Sequence, residues 1–547
     1  MDTYGTLNNL RAAYQVLSER IRVALRTQLG DQNRLESYMN EVRVYAESAE
    51  RHSNIFPAAE LAILQHSITV MLTALNDLAE RSQDPSPLPS LQVTQLSLTG
   101  NAGRPRIEID PNFLRHALDL RGPHTLGPLL KCSSRTVRRR ALELGLVEPG
   151  HPVYADVDNG TGAVQRVWTS TTPPMSTLSD AELDAETAEI LNMFPHFGRR
   201  MIIATLLTKG HRVSQKRVQE SYLRVWGAPA RFGDHPIIRK EYWVPGVNSL
   251  WHHDGNHDLI RWRFVIHGFI DGKSRYVVGI KANNNNRKET VLEVFMNATE
   301  QHGWPSRMRG DHGVENGLCA LAMEEYRGRG RGSYIWGRSV HNCRIERLWL
   351  DYAHGVVVKW KPFFEALEAS HGLDHDNFAH IWLLHHLFMA ALQDDIRKWS
   401  DAWNLHKIAV PGGGQKSPRE LFTFGLLADG GRGVDYMLEQ ANGAFDYGTY
   451  GVDWSNSNAM AAALERNLSE VADGNPFSSA APGPAHLTEV VCDPPDSPLT
   501  PAEVEGLDTY LHARFPLSSR SMEVRKQVWQ ETLAYCRGLN IATSPSN

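Results

Sequence analysis

The 547-residue chain has only five cysteines, Cys132, Cys319, Cys343, Cys492 and Cys536. Their number is odd and no two form a Cys-x-x-Cys pair. That argues against a disulfide framework and a cysteine-built zinc site, and it fits a reducing compartment. Long apolar runs are also missing. The longest, Ile381 to Leu392, is interrupted by His385 and His386 and is too short to cross a bilayer. The opening residues Met1-Asp2-Thr3-Tyr4 lack the basic and apolar stretches of a secretory leader. The expectation is an intracellular protein without membrane contact, nuclear if the source is a eukaryote.

A large net charge is absent as well. The balance of −5 would by itself discourage a nucleic-acid partner, but the distribution says otherwise. Between Arg199 and Arg231 there are eight Lys or Arg against the single acid Glu220, and between Arg104 and Glu148 nine against five. With 41% hydrophobic and 22% charged residues the chain reads as globular. Its length calls for three or four domains rather than one core.

Residues 1–83 carry helical periodicity through Leu7, Leu10, Tyr14, Leu17, Ile21 and Leu25, and again through Leu61, Leu64, Ile68, Leu72 and Leu75. A helical bundle is expected, with a self-associating coiled coil as the alternative. Residues 84–106 open on Asp84-Pro85-Ser86-Pro87-Leu88-Pro89 and read as a linker. Residues 107–150 have helix-turn-helix rhythm. Ser133-Ser134 caps a helix bearing Arg135, Arg138 and Arg139, as phosphate docking and groove entry require. Residues 178–231 repeat that rhythm, with Lys216 and Arg217 behind Ser214. The alternative for both is a solvated basic helix face. Residues 473–500, rich in Pro, Ser and Ala, read as a disordered linker, and 501–539 as a small helical tail of no assigned role.

The informative stretch lies within 245–405, an α/β segment with a helical extension. Trp251-His252-His253-Asp254 leads into two extended runs joined by the turn Asp271-Gly272-Lys273-Ser274. A helix, a short strand ending at Gly310-Asp311-His312-Gly313, a second helix, a basic glycine run and a helix containing Glu346 follow. Acids at strand ends and on a neighbouring helix converge at one edge in a ribonuclease H-like layout, a mixed sheet flanked by helices. In-line phosphoryl displacement needs an activated oxygen and a stabilised leaving oxygen. Two divalent ions held by hard carboxylates supply both. Asp254, Asp311 and Glu346 are therefore the candidate catalytic and metal-binding residues. Asp271 reads as a turn residue, and Asp258 lacks a tryptophan three positions before it. His252 and His253 are lesser candidate ligands. Glu315 reads equally as support for Asp311 or as the first turn of a helix. The histidines His371, His375, His380, His385 and His386 read as packing or surface positions rather than a zinc site.

The segments Trp251-His252-His253-Asp254, Gly310-Asp311-His312-Gly313-Val314-Glu315-Asn316 and His341-Asn342-Cys343-Arg344-Ile345-Glu346-Arg347 resemble the three motifs of the retroviral-type integrase core. That core belongs to the DDE integrase and transposase superfamily. The resemblance spans about 110 residues and implies two Mg²⁺ or Mn²⁺ ions per site, with Asp254 bridging both and Asp311 and Glu346 holding one each. It implies DNA contacts at Asn342, Arg344 and Arg347, and a mobile loop in the basic glycine run with Arg329 and Arg331. It also implies element ends and target DNA as partners, and a homo-oligomer. Ser417-Pro418-Arg419-Glu420-Leu421-Phe422 is similar to a short motif that follows the core in many integrases. The zinc domain that precedes the retroviral core has no counterpart in spacing here, which resembles eukaryotic, mobile-element-derived integrase-core proteins more than a viral enzyme. The activity expected is metal-dependent DNA cleavage and strand transfer. A captured DNA-binding or chromatin protein that keeps the fold is the alternative, and an RNA–DNA hybrid nuclease a weaker one.

Overall fold

The computed structural model describes residues 3–83, 92–98, 105–148, 154–158, 164–168, 175–226, 242, 244–337, 342–410, 414–430, 484 and 487–539. Its centre is a five-stranded sheet: β5 (Leu250–Asn256), β6 (Val265–Asp271), β7 (Val277–Asn283), β8 (Arg307–Gly310) and β9 (Tyr334–Trp336). The spatial order is β7-β6-β5-β8-β9. The first three strands form an antiparallel meander, and β8 and β9 run parallel to β5. This is the strand order and direction of a ribonuclease H-like fold.

The strands are buried on both faces, so alternation sorts their side chains between two cores. Trp251 and Phe269 face α10 (Lys288–His302) and α11 (Gly317–Arg327), packing with Phe295, Met308 and Met323. Ile266 and Ile270 face the opposite layer of α12 (Cys343–Tyr352), α13 (Val358–Ser370) and α14 (Phe378–Leu405). One turn of wider π geometry, Ala353–Val357, joins α12 to α13. The long helix expected around Glu346 is present as a continuous run, Cys343 to Ser370, with this turn inside it. Burying Ile345, Leu348, Trp349 and Tyr352 contributes roughly 1.5–3 kcal/mol per side chain.

Both sheet edges are covered, as exposed edges invite mispairing. Along β7, Asn404 of α14 accepts from Val277 N–H and donates to its carbonyl, and Gln393 accepts from Ala282 N–H. Beside β9 sits a three-helix bundle, α1 (Thr3–Thr27), α2 (Gln32–Arg51) and α3 (Ala58–Arg81), with its own core of Ile21, Leu35, Val42, Met71 and Leu75. α3 is long and apolar enough to cross a membrane. Here its Leu64, Ile68, Met71, Leu75 and Leu78 are buried. The α1–α2 corner docks on the sheet through a close Arg309–Asp31 ion pair and through Arg307, which donates to the carbonyls of Gly30 and Ser82. The backbones of Gly30 and Gly332 meet so closely that a Cβ on Gly332 would lie 2.2 Å from the Leu29 carbonyl oxygen.

Three expectations change. Within 84–106, β1 (Thr94–Ser97) pairs with β2 (Arg106–Ile109), because Val93, Ile107 and Ile109 have a core to join in Leu114, Leu126 and Val137. Residues 84–91 and 99–104 of that expected linker lie outside the described residues. Within 473–500, residues 487–500 form an extended strap bonded to the core rather than a disordered linker, while 473–483, 485 and 486 lie outside the described residues. The tail is no appendage. Its helices α16 (Pro501–His512) and α17 (Met522–Gly538) place Leu507, Leu511, Trp529 and Leu533 in the same core as α13 and α14.

Ahead of the sheet, β3 (Tyr154–Asp158) pairs with β4 (Val164–Trp168), and α4 (Pro111–Leu120), α5 (Pro123–Leu129) and α6 (Ser134–Glu143) share a core with Phe424 of α15 (Pro418–Ala428). The helices α7 (Asp180–Met193), α8 (Arg199–Thr208) and α9 (Gln215–Trp226) instead continue the α12–α14 core through Leu183, Ile190, Ile202 and Tyr222.

Candidate metal centre

Strand register explains why two of the acids meet. β5 and β8 run parallel with His252 opposite Arg309. Continuing that register by two residues sets Asp254 beside Asp311, just beyond the end of β8. Alternation sends Asp254 toward α12. Its neighbour on β6 is Gly268, and a Cβ there would lie 2.5 Å from the Trp349 ring. Only a glycine allows α12 so close.

Helix α12 brings the third acid, Glu346, in its first turn. Asn342 caps that helix and is itself buried. Its side-chain oxygen lies 2.6 Å from His252 Nδ1, and its amide donates to the His253 carbonyl at 2.6 Å. Three residues after Glu346, the Trp349 indole N–H donates to Asp254 Oδ2 at 2.8 Å. The Asp311 carboxylate accepts from Asn316 Nδ2 at 2.7 Å and from Gly313 N–H at 3.2 Å.

Charge at this sheet end is one-sided. Burial pushes the Asp254 carboxyl up to about 8; the charges of Asp311 and Glu346 add to that, and the indole N–H works against it. Glu346 is raised by burial and then by Asp311. Glu315, in the 3-10 turn after Asp311, is raised to about 7 by burial first, with Asp311 and Glu489 adding like charge. Among the described residues, no cationic side chain is one of the groups that act on Asp254 or Glu346. Hard oxygen donors that repel one another and lack a protein cation are suited to divalent metal. Among the described residues, the His, Cys, Asp or Glu trio with all ligand atoms within 4.8 Å is Asp374, His375 and Asp376. These are consecutive residues of a surface loop, and His375 already meets Glu368. The triad is more widely spread, and two ions about 3.5–4 Å apart need that spread.

Several expected site residues have other tasks. His252 is fully buried between Asn342 and the Tyr242 hydroxyl, and His253 points to the opposite face of the sheet against Phe269. Neither is placed as a ligand. Asn342 is a latch between α12 and β5, with its side-chain oxygen and its amide both bonded inside the protein. Arg344 donates to the Gly272 carbonyl and stacks 3.9 Å over the Tyr242 ring. Arg329 and Arg331 precede β9, at the sheet end away from Asp311. Arg331 is held by Ser306, and Arg329 lies 3.6 Å from Glu325. The expected mobile loop is therefore not next to the carboxylates. Residues 338–341, which join β9 to α12 and include His341, lie outside the described residues. Arg217 is tied to the Leu178 carbonyl and Asp180. The basic excess around it is partly cancelled by α7, whose Asp184 pairs with Arg224 and whose Glu186 and Glu189 pair with Lys209. Arg347, Lys216, Arg135, Arg138 and Arg139 remain exposed. Asp271 is a turn anchor, accepting from the N–H groups of Asn248, Lys273 and Ser274.

Two contributors went unread in the sequence. Trp349 was legible in principle, since a residue three after Glu346 shares its helix face. The strap at 487–500 was not. Thr488 accepts from Val314 N–H and donates to the His312 carbonyl, directly after Asp311. Further along, the Cys492 carbonyl accepts from Asn286 N–H, and Asp493 pairs with Arg287. The strap thus runs along the same sheet end as the carboxylates.

Residues 241–434 match the family model described as "Integrase core domain". Among solved structures, the chain is similar to the HTLV-2 integrase catalytic core domain in complex with magnesium (trimeric form), at 15% identity over 32% of this chain and 96% of that one, TM-score 0.21. It is also similar to the simian T-cell lymphotropic virus intasome in complex with PP2A regulatory subunit B56 gamma, at 13% identity over 43% and 72%, TM-score 0.25. At those scores the fold rests on the strand order and the family match alone. No curated protein sequence matches the chain.

Proposed function

We propose, from the premise that residues 241–434 form an integrase core domain of the DDE superfamily, that the chain is a divalent-metal-dependent polynucleotidyl transferase that cuts DNA and joins a 3′-hydroxyl to target DNA. The observation that carries this reading is the convergence of Asp254, Asp311 and Glu346 at one sheet end, the first two by strand register and the third by the docking of α12. Bound there, a pair of Mg²⁺ or Mn²⁺ ions would activate the attacking oxygen and stabilise the leaving one. Asp254, Asp311 and Glu346 would hold them. Asn316 and Trp349 orient the first two carboxylates by donating to one oxygen of each. The three acids otherwise repel a phosphate backbone. Cationic surface elsewhere must attract it, and the exposed Arg347, Lys216, Arg135, Arg138 and Arg139 are the residues for that task. Joining two DNA ends calls for more than one copy, so a homo-oligomer acting in the nucleus or another DNA-bearing compartment completes the proposal.

The test is strand transfer with candidate element ends in Mn²⁺, comparing the natural chain with Asp254→Asn and Glu346→Gln. Loss of joining with DNA binding retained supports the assignment, and joining that survives either change refutes it. A second reading, a DNA-binding protein that keeps the fold without the reaction, is favoured by the strap along the carboxylate end. It predicts DNA binding but no joining by the natural chain. An RNA–DNA hybrid supplied in parallel separates out a nuclease, which would cleave the hybrid in preference to the duplex.

A further inference from the structure

Of the groups that act on the Asp254 carboxylate, Asp311 and Glu346 repel it. The favourable ones are the N–H donors of Trp349 and Gly255. The Trp349 bond is 2.8 Å long and ends on Oδ2. An indole N–H is a donor only, so it takes no proton and ligates no metal. What it does is fix one oxygen of a carboxylate that would otherwise turn away from its like-charged neighbours.

The ring that bears this donor is held on every side. Trp349 is buried, lies over Gly268 where a Cβ would come within 2.5 Å, and meets Tyr352 edge-on at 5.7 Å. The helix that carries it is latched to β5 by Asn342, through His252 and the His253 carbonyl. Glu346 lies between the latch and the indole on that one helix. The relative placement of Glu346 and Asp254, which sit on different elements, is therefore set at two points, one on each side of Glu346.

We infer that Trp349 is a positioning residue of the metal centre: its N–H pins Oδ2 of Asp254 and so fixes how that carboxylate is turned relative to Asp311 and Glu346. This rests on the metal-centre reading above and adds the element that aligns it. Partners that hold a ligating group by hydrogen bonding typically matter about 10–100-fold in metal affinity.

The test replaces Trp349 in the full chain by β-(3-benzothienyl)alanine, in which sulfur stands for the N–H and the ring keeps its size. Trp349→Phe serves as a second variant. Mn²⁺ binding is measured without DNA, with melting in EDTA alongside. The expected result is a Mn²⁺ dissociation constant raised about 10-fold or more in the benzothienyl variant, with a cooperative metal-free melt retained. Trp349→Phe is expected to show the same weakening, and a lower midpoint because it loses ring contacts. Wild-type affinity in the benzothienyl variant overturns the inference while leaving the metal centre intact. A natural chain that shows no saturable Mn²⁺ binding overturns the metal-centre reading and this inference with it.

Discussion

Removing the charge of Asp254 is expected to stabilise the metal-free protein, although it destroys the proposed site. The carboxyl is raised from an ordinary 3.8 to about 8, by burial first and then by Asp311 and Glu346. A group raised on folding favours the fold fully when protonated, below its unfolded pKa, and that advantage is lost as pH rises toward the folded pKa. At pH 7 the difference sets a ceiling of about 4 kcal/mol, and relaxation and water entry bring the expectation to roughly 1–2 kcal/mol. Asp254→Asn keeps the shape and the acceptor for the Trp349 N–H but carries no charge, so it mimics the protonated acid at every pH. Denaturant melts in EDTA are then expected to coincide for the two proteins near pH 4 and to separate progressively up to pH 8, with the variant more stable. Mg²⁺ is expected to reverse the order by stabilising the natural chain alone. A variant less stable than the natural chain at pH 8 in EDTA, or a gap that does not change with pH, would refute the reasoning.

Asn342→Ala is expected to cost about 2–3 kcal/mol, because it takes the partner from buried His252 Nδ1 and a donor from the His253 carbonyl; denaturation measures it, and unaltered stability would argue that α12 docks some other way. Arg135→Ala, Arg138→Ala and Arg139→Ala are each expected to change stability by under about 0.5 kcal/mol. If α6 contacts phosphate, each also lowers the salt dependence of DNA binding by roughly one ion, read from a titration over NaCl. Arg140→Ala is different, since that side chain is buried, donates to the Ile107 carbonyl and pairs with Glu143. It is expected to destabilise by about 1–3 kcal/mol, seen as a lower denaturation midpoint. Lys359→Met removes the ammonium paired with the buried Asp395 carboxylate, which keeps the Trp360 indole N–H and Arg520 as neighbours, and is expected to cost about 1–3 kcal/mol, read as a lower denaturation midpoint.

Much of the core was legible in the chain because local chemistry and local order coincide there. The turn Asp271 to Ser274, the meander around it, the strand ending before Asp311 and the helix bearing Glu346 all follow from periodicity and turn residues. The order of those elements allows few sheet topologies. The choice of the three candidate acids likewise rested on residue type and place, Asp254 and Asp311 toward strand ends and Glu346 on a helix. What the sequence alone could not determine is which face a side chain takes and what lies across from it, since that depends on register and on elements far away in the chain. His252 and His253 are neighbours, yet they serve opposite faces. Asn342 looks like a ligand-facing amide until β5 is laid against it, and the glycine run before β9 looks mobile until Gly332 meets Gly30. Residues 487–500 have the composition of a linker, and the backbone groups offered by Asn286, His312 and Val314, together with the Arg287–Asp493 pair, give them a fixed course. Tertiary structure decided these points because hydrogen bonds and packing form between partners hundreds of residues apart, and no local pattern encodes them.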